Sequence, residues 1–577
     1  MYKKIFAFSC ALSLSFSSIP IYAQETTASS ANEQFTTFLE DDFKKTLEDS
    51  YTTMHNYISN PETFGISTDD IEITLGSFTS DKEDKKELEE DIKALEAFDR
   101  NTLDRTQQEI YDEYETSYAS SKELSKSKYQ YLGNIWSENS GVPVTLNNYF
   151  ANFDIYSEYD IQAFITLLKD SKRYTKEAIA YSKKQAKKET LCFDYQSTLK
   201  TINSTLKNKS NNEIQNNINT EIDELNLDAS TAQSYKEQIE SALNEVYYPS
   251  FSYMKKELKK LKKDNQEARP VTSLKNGKKY YALTVQSQAS SSKSAKTIYK
   301  ELVNAYNEAS ENLEKNANKL NKISSTSFTS SDEILAFLVE NYTQNMPEIT
   351  IPAYDIQNLP DEQTSSSIIA YYQTPIIDSD DTNRIRFNAK DFGDDLSSID
   401  TYTTFAHEGI PGHMYQYNYF KEHHTYNIQY LISETAFTEG FAEFAAKEAL
   451  EYLPNIDQKT AKLIMDNADI SYYLLAIFDL DIHLNQLSKD EFIGKYEDQY
   501  DSSTLSSLYD SACYDAALYL PYGYGYYEMC SLQEKAQAAL GNNYDNKTFV
   551  SVLLQDGEVN FDVLEKNVDL YINGVQI

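Results

Sequence analysis

The segment Thr404-Phe-Ala-His-Glu-Gly-Ile-Pro-Gly-His-Met-Tyr-Gln416 holds two of the chain's six histidines, and a glutamate directly follows the first of them. A further carboxylate, Glu439, follows in Thr438-Glu-Gly-Phe-Ala442, inside an apolar segment with helical periodicity. Two histidines, an adjacent glutamate and a later glutamate are the side chains from which catalytic zinc sites are built. The segment therefore predicts a catalytic zinc site, and the fold of the rest of the chain must bring its side chains together.

The spacing of the two histidines departs from the usual metal-binding pattern. In HExxH the ligands at i and i+4 share one helical face, and the glutamate acts on the water at the metal. His413 instead follows His407 by six residues, which on an ideal helix turns it roughly two thirds of a turn away. Because Pro411 removes a helical hydrogen bond and Gly412 permits a distorted turn, two residues can loop out. We expect a local helix distortion that returns His413 to the metal.

The downstream carboxylate has more than one candidate. An isolated histidine is most simply a polar residue on an amphipathic helix, but four suitable side chains in one short region favour a site. Glu439 lies between Phe437 and Phe441, a setting that favours an inward orientation. Glu434 and Glu443 are the alternative carboxylates.

The composition predicts a mainly α-helical protein. A chain of 577 residues can bury a large core, and only 15 glycines and 12 prolines argue against sandwiches and barrels with many tight turns. A formal net charge of -37 disfavours nucleic acid and anionic membrane surfaces as partners, since phosphates would be repelled. Solubility is the simplest explanation of this charge, ahead of a preference for basic peptides.

The N-terminus has the pattern of a secretory signal. Residues 1–23 begin with two lysines, continue through a mostly apolar run that includes Cys10, and end at Ile21-Tyr-Ala23, a suitable cleavage site. We therefore expect residues 24–34 to form a flexible tether and the protein to be secreted or associated with the cell envelope. No other segment is long and apolar enough to suggest a membrane span.

Three cysteines, Cys192, Cys513 and Cys530, follow the predicted signal. They cannot form a disulfide framework, and none has the spacing of a metal site. A single bridge between Cys513 and Cys530 is one possibility, and three buried thiols are the simpler expectation.

The periodicity predicts a single domain over residues 35–577, with an N-terminal helical part (35–345) and a catalytic part (346–577). Helices are expected over residues 35–58, 82–98, 103–132, 160–187, 225–263 and 294–320. Residues 203–219 read as an exposed, Asn-rich connection and residues 280–286 as a short strand. Three short β-rich runs, 349–354, 368–372 and 384–388, precede the His-Glu segment, where a small sheet can present an edge strand to a peptide.

These residues resemble the DUF885 family of the zinc peptidase MA clan, whose signature is close to HExxPGHxxQ followed by EGWAxY. Here the signature appears as His407-Glu-Gly-Ile-Pro-Gly-His-Met-Tyr-Gln416 and Glu439-Gly-Phe-Ala-Glu-Phe444. The resemblance extends over nearly the whole chain after the signal. Phe441 and Phe444 replace the family's Trp and Tyr, and Asp481 replaces a Gly in the element that ends at His483.

The resemblance implies a helical, gluzincin-like zinc-peptidase fold with a deep substrate channel. His407, His413 and Glu439 would hold Zn²⁺, and Glu408 would act as the general base. The candidate donors that would stabilise the oxyanion are His483, Tyr522 and Tyr526, which lie in family-like motifs. The remaining histidines are expected to be structural, with His423 and His424 at a solvated helix end and His55 alone.

The sequence therefore predicts a secreted zinc metallopeptidase that acts on a peptide substrate. Two alternatives remain: a non-catalytic peptide- or partner-binding protein of the same fold, and a zinc hydrolase of another amide or ester. Glu408 argues against the first, because a binding protein needs no general base.

Overall fold

The computed structural model describes residues 30–79, 82–211, 213–320, 325–359, 369–379, 382–389, 396–454 and 456–575. The predicted signal (1–23, with Cys10) and most of the predicted tether lie outside these residues. Residues 31–34 of the tether belong to the first helix.

Helices make up most of the described chain, and the expectation of a mainly α-helical fold with a small sheet is confirmed. In chain order the α-helices are α1 (Ala31–Glu48), α2 (Tyr51–His55), α3 (Lys82–Glu96), α4 (Arg105–Leu124), α5 (Val142–Ala151), α6 (Glu158–Lys187), α7 (Tyr195–Asn208), α8 (Glu213–Glu224), α9 (Ala229–Ala242), α10 (Tyr248–Leu261), α11 (Gly277–Gln288), α12 (Ala295–Leu320), α13 (Ser331–Asn341), α14 (Ile399–Glu408), α15 (His413–His423), α16 (Thr435–Leu450), α17 (Gln458–Asn485), α18 (Lys489–Tyr496), α19 (Ser502–Tyr514), α20 (Leu520–Leu540), α21 (Asn546–Leu554) and α22 (Phe561–Ile572). A π-helical turn, Leu243–Tyr247, joins α9 to α10, and short 3₁₀ turns lie at Pro61–Phe64, Arg100–Thr102, Lys262–Asp264, Val271–Ser273, Tyr342–Gln344, Asn427–Leu431 and Gly541–Asn543.

The sheet has three short strands, β1 (Tyr354–Asn358), β2 (Ala370–Gln373) and β3 (Asn383–Phe387), in the order β1-β3-β2. β1 runs parallel to β3, and β2 runs antiparallel to it, with Tyr372 opposite Ile385. β2 is therefore an edge strand of this sheet.

Two large hydrophobic clusters and a small third one around Phe478 and Phe492 form the core of the described chain. Residues from Phe35 to Leu261, joined by Ile428, build the first cluster, in which α1 buries Phe35, Leu39, Phe43 and Leu47 at the helical spacing that the sequence predicts. The second runs from Val271 to Val568 and includes the helices that carry the His-Glu segment. The boundary between the clusters falls near residue 265, and a large cavity is lined by residues of both halves.

The strand expected over residues 280–286 is wrong, because these residues belong to helix α11. Asn276 adopts a left-handed conformation (φ 67°) that starts the helix instead of closing a hairpin. Gly277 permits close packing there, since a Cβ would lie 1.7 Å from the Val271 carbonyl oxygen. Tyr281 and Val285, one helical turn apart, are both buried, so tertiary packing overrides their preference for strands.

Other boundaries also differ from the expectations. The Asn-rich stretch 203–219 is not a connection, because α7 extends through Asn208 and α8 begins at Glu213 with Ile214 and Ile218 buried. β1 begins at Tyr354, where the expected run ends, and residue 368 lies outside the described chain. Cys192, Cys513 and Cys530 are free thiols, so the possible bridge is not formed; Cys513 is buried and the other two are half-buried.

In the part of the chain that the structure describes, no helix is long and apolar enough to cross a membrane.

Helices α16 and α20 cross at two glycines that leave no room for a side chain. A Cβ on Gly440 would lie 2.3 Å from the Gly525 carbonyl carbon, and one on Gly525 would lie 2.0 Å from the Ala436 oxygen. We expect Gly440→Ala to lower the free energy of unfolding by about 1–3 kcal/mol, because the helices must separate. Thermal unfolding followed by circular dichroism measures the change.

The matched control is Gly494→Ala on exposed helix α18, where no atom lies within 4 Å of a new Cβ. This change should leave stability unchanged or raise it by about 0.5–1 kcal/mol, since alanine favours helix over glycine. Equal effects of the two substitutions would contradict the close helix crossing.

Candidate metal centre

The turn at residues 409–412 brings the two histidines together. α14 ends at Glu408 and α15 begins at His413, so two helices separated by a turn replace the single distorted helix that the sequence suggested. The amide of Gly412 donates to the Ala406 carbonyl oxygen at 2.8 Å. A Cβ on Gly412 would lie 1.9 Å from the His407 carbonyl oxygen, so only glycine fits this position.

His407, His413 and Glu439 converge on one point. Nε2 of His407 and Nε2 of His413 each lie 3.6 Å from Oε2 of Glu439. The two imidazole rings are nearly perpendicular, with their centroids 4.7 Å apart. Glu439 is 4% exposed and projects from α16, a different element from those that carry the histidines.

These three side chains fit a divalent metal ion. Tetrahedral ligands about 2.0–2.1 Å from a zinc ion lie about 3.4 Å from one another, close to the observed 3.6 Å. Ligand atoms of His407, Glu408 and His413 also lie within 4.8 Å of one another. We assign the third position to Glu439, because its oxygen faces both Nε2 atoms whereas Oε2 of Glu408 accepts from the Tyr372 amide at 2.8 Å.

The electrostatics of the centre couple the imidazoles to carboxylates. Burial alone would lower the pKa of His407, but Glu443, Glu439 and Glu408 outweigh it and raise the pKa well above its usual value. Burial would raise the pKa of Glu439, but its contacts with His407 and His413 hold it well below the usual range. The chain thus places negative charge where a cation would be held.

Of the alternative carboxylates, Glu443 lies behind the centre and Glu434 does not reach it. Oε1 of Glu443 is 3.4 Å from Nδ1 of His407, so it can fix the ring orientation and leave Nε2 facing Glu439. Glu443 follows Glu439 by one helical turn on α16, which is why both point the same way. Glu434 precedes the helix and is not among the residues that line the cavity.

Asp469, on α17, is a buried acid beside this group that the sequence did not single out. It is 1% exposed and lines the cavity, and neither of its carboxylate oxygens has a hydrogen-bond partner among the described residues. No sequence signal marks it, because α17 reaches the site through tertiary packing alone.

The three candidate oxyanion donors differ in whether they line the cavity. Tyr522 lines the cavity and its ring stacks on Tyr472 at 5.2 Å. Tyr526 is buried on α20 outside the cavity lining. His483 is 1% exposed, stacks on Tyr281 at 4.3 Å and lies outside the lining as well.

The remaining histidines, His55, His423 and His424, lie apart from the pair formed by His407 and His413. His55 is buried against Phe153, and its Nε2 lies 2.8 Å from the Asp154 carbonyl oxygen at the far side of the cavity. His423 is exposed at the end of α15, and His424 follows it.

The cavity has a volume of about 970 Å³ and extends from the metal centre to the N-terminal half. Edge strand β2 contributes Ala370 through Gln373 to its wall. Seven carboxylate residues line it: Asp154, Asp400, Glu408, Glu439, Glu443, Asp469 and Glu558. Arg384 is the sole lysine or arginine among the described lining residues, and it faces Asp154 at 3.3 Å.

Residues 62–568 match the family model described as "Bacterial protein of unknown function (DUF885)". The chain belongs to the DUF885 family. No curated protein matches it.

Two solved structures share the fold. One is a candidate lipoprotein from Colwellia psychrerythraea, with a TM-score of 0.75 and 18% identity, covering 94% of this chain and 100% of that one. The other is a candidate lipoprotein of unknown function from Shewanella oneidensis, with a TM-score of 0.59 and 15% identity, covering 93% and 99%. At such identities the likeness shows the fold alone.

The ionisation of Asp469 gives a test of the site's electrostatics. Burial raises the pKa of this acid well above its usual value, and Glu443 and Asp466 add to the shift against His407 and Lys462. Above about pH 4 the unfolded chain loses this proton while the folded chain keeps it, so stability falls as pH rises. We expect Asp469→Asn to raise the melting temperature, with a larger gain at pH 7.5 than at pH 4.5.

Differential scanning calorimetry at the two pH values measures this gain. The control is Asp498→Asn at an exposed position, which should show no such pH-dependent gain. A loss of stability at pH 7.5 for Asp469→Asn would contradict a protonated Asp469.

Proposed function

We propose that this protein is a zinc-dependent peptidase of the cell envelope or the extracellular space. The observation that carries the proposal is the convergence of His407, His413 and Glu439 beside Glu408 in a cavity large enough for a peptide segment. A zinc ion held by these three side chains would act as a Lewis acid and make a hydrolytic water acidic near neutral pH.

Glu408 is the general base. It follows metal ligand His407 directly, lines the cavity and is 8% exposed. The Tyr372 amide donates to Oε2 at 2.8 Å and holds the carboxylate at the edge of β2. Glu408 takes a proton from the attacking water and passes it to the amine that leaves when the peptide bond breaks.

Edge strand β2 favours a peptide as the substrate. The Tyr372 amide points away from β3 towards Glu408, and strand alternation turns the backbone of Ala370 the same way. An extended peptide beside β2 can therefore add backbone hydrogen bonds next to the general base.

Tyr522 is the donor that the geometry favours for the oxyanion. Burial raises the pKa of its phenol well above the usual value, and the carboxylates of Glu439, Glu408 and Glu443 add to the shift. The phenol therefore keeps its proton at neutral pH and can donate a hydrogen bond to the negative charge that develops on the carbonyl oxygen. His483 and Tyr526 lie outside the cavity lining, so the proposal does not use them as oxyanion donors.

Two observations support the proposed location in the cell envelope or the extracellular space. The first 23 residues have the pattern of a secretory signal, and both structural neighbours are named as candidate lipoproteins.

Replacing the general base tests the catalytic role. We expect Glu408→Gln to lower kcat by about 10²–10⁴-fold, because the amide cannot accept a proton but can still accept from the Tyr372 amide. Cleavage of a library of fluorogenic peptides measures the loss, and zinc content is measured in the same samples. Glu534→Gln, at an exposed position on α20, is the matched control and should retain activity. Undiminished cleavage by Glu408→Gln would contradict the proposal.

Metal removal tests the ligand set. Chelation should abolish peptide cleavage, and one equivalent of Zn²⁺ per chain should restore it. His413→Ala should lose stoichiometric zinc, and Glu443→Ala should weaken zinc affinity by about 10–100-fold because His407 loses the carboxylate that orients its ring. The exposed His423→Ala is the control and should bind zinc normally. Cleavage that survives complete removal of the metal would overturn the assignment.

A further inference from the structure

The solvent-exposed side of helix α6 carries lysines and almost no acidic groups. After its first residue, Glu158, no carboxylate residue of this fully described helix is exposed. Asp170 and Glu177 are half-buried, and both pair with Arg173, at 2.6 Å and 2.9 Å. The exposed lysines recur at helical spacing, so they form one stripe along the helix. They are Lys169, Lys172, Lys176, Lys183, Lys184 and Lys187, and Lys188 follows at the end of the helix.

A second helix extends this stripe. α10 packs against α6, and Lys183 of α6 and Lys260 of α10 both contact one buried carboxylate, Glu257. The chain segments that follow the two helices also meet, where the Gln266 amide donates to the Leu191 carbonyl oxygen at 2.8 Å. The exposed lysines of α10 and of the 3₁₀ turn after it are Lys255, Lys256, Lys259, Lys260, Lys262 and Lys263. We call these thirteen lysines of α6, α10 and the turns that end them the lysine face.

The lysine face is opposite in sign to the molecule as a whole. The chain has 90 acidic residues against 53 lysines and arginines. In the described chain only two members of the face, Lys183 and Lys260, pair with a carboxylate. A surface that serves solubility alone intersperses both signs. Like charges held side by side repel one another and destabilise the fold, and an anionic partner relieves that repulsion.

The residue type and its distribution select the chemistry of the partner. Arginine suits discrete carboxylate or phosphate sites because its planar fork binds them in a fixed geometry, whereas lysine acts as a flexible point charge. Arg173, the arginine within the α6 stripe, is already held by Asp170 and Glu177. The lysines are spread along two helices, and none of them lines the cavity at the metal centre. A flat array of phosphate groups, as in the phospholipid headgroups of a membrane, can neutralise many such charges at once.

The net charge of -37 describes the whole molecule and not this face. At physiological ionic strength, salt screens exposed charges over about 8–10 Å, so the groups at the contact decide the attraction. The acidic remainder of the surface is repelled by an anionic membrane and turns the lysine face towards it.

The lysine face lies away from the cavity. Tyr156 lines the cavity just before α6 begins at Glu158. At 1.5 Å of rise per residue, Lys169 lies about 17 Å and Lys187 about 44 Å farther along the helix axis. Changes to these lysines therefore leave the metal centre intact.

We infer that the lysine face binds the anionic phospholipid surface of a membrane and retains the protein at the cell envelope. This inference rests on the proposed location, and it adds a membrane-binding role that does not depend on peptide cleavage.

The test measures binding to lipid vesicles with the full chain. The probes are vesicles of phosphatidylglycerol mixed with phosphatidylcholine, and vesicles of phosphatidylcholine alone. The face variant combines four exposed lysines that pair with no carboxylate of the described chain: Lys172→Gln, Lys176→Gln, Lys187→Gln and Lys259→Gln. The matched control removes the same charge from exposed lysines elsewhere: Lys296→Gln, Lys300→Gln, Lys459→Gln and Lys547→Gln. Co-sedimentation at low and high NaCl gives the affinities.

We expect the wild type and the control variant to bind the phosphatidylglycerol vesicles at least about tenfold more tightly than phosphatidylcholine alone, and to release them as salt rises. The face variant should bind the anionic vesicles about 10–100-fold more weakly, because four of the contacting charges are gone. Arginine at the same four positions keeps the charge and should bind as the wild type does. All variants should keep the melting temperature of the wild type, since the substituted side chains are exposed.

Other outcomes overturn the inference. The wild type could ignore anionic vesicles, or the face and control variants could lose binding equally, and either result would reject the lysine face as a membrane contact. A dimer seen by light scattering, lost in the face variant and formed without vesicle binding, would assign the face to a second, acidic copy of this chain instead. Vesicle binding by a protein that cleaves no peptide would uphold the inference and reject the proposed function, and peptide cleavage without vesicle binding would do the reverse.

Discussion

The contact of one buried carboxylate with two half-buried imidazoles is the constraint on which the rest of this structure depends. Glu439 lies 3.6 Å from Nε2 of both His407 and His413, although it comes from a different helix. Charges taken out of water destabilise a fold unless they are paired, so the helices that carry these groups must be held in fixed positions. Glycines at two close approaches meet this requirement: Gly412 in the turn between α14 and α15, and Gly440 where α16 crosses α20.

The same constraint shapes the surroundings of the centre. Glu443 contacts Nδ1 of His407, on the side of the ring opposite Nε2, and buried Asp469 lines the cavity beside the site. On the open side, the amide of Tyr372 on edge strand β2 holds Glu408. The N-terminal half then closes the cavity from the opposite side. One sheet edge thus contacts Glu408 and lines the same cavity as the His407, His413 and Glu439 group.

Much of this arrangement could be predicted from local sequence. The helical spacing of Phe35, Leu39, Phe43 and Leu47 marks a buried face that the structure confirms. Membership of the DUF885 family, which the signature suggested, is confirmed over residues 62–568. The approach of His413 to His407 followed from the need of Pro411 and Gly412 for an irregular turn, although that turn separates two helices.

The remainder depends on contacts between residues distant in sequence. Residues 280–286 have strand-forming side chains, yet packing makes them helix α11. His483 and Tyr526 lie in family-like motifs, but α17 and α20 keep them outside the cavity, whereas Tyr522 reaches it. Asp469 has no local signature, because only the folded chain decides which polar atoms are left without partners.

The most direct test of the central claim is a crystal structure of the zinc-loaded protein with anomalous diffraction recorded on both sides of the zinc absorption edge. We predict a single strong zinc peak about 2.0–2.2 Å from Nε2 of His407, Nε2 of His413 and a carboxylate oxygen of Glu439, with Glu408 outside the ligand set. A zinc peak ligated by Glu408 in place of Glu439, or no peak between the two histidines, would contradict the account.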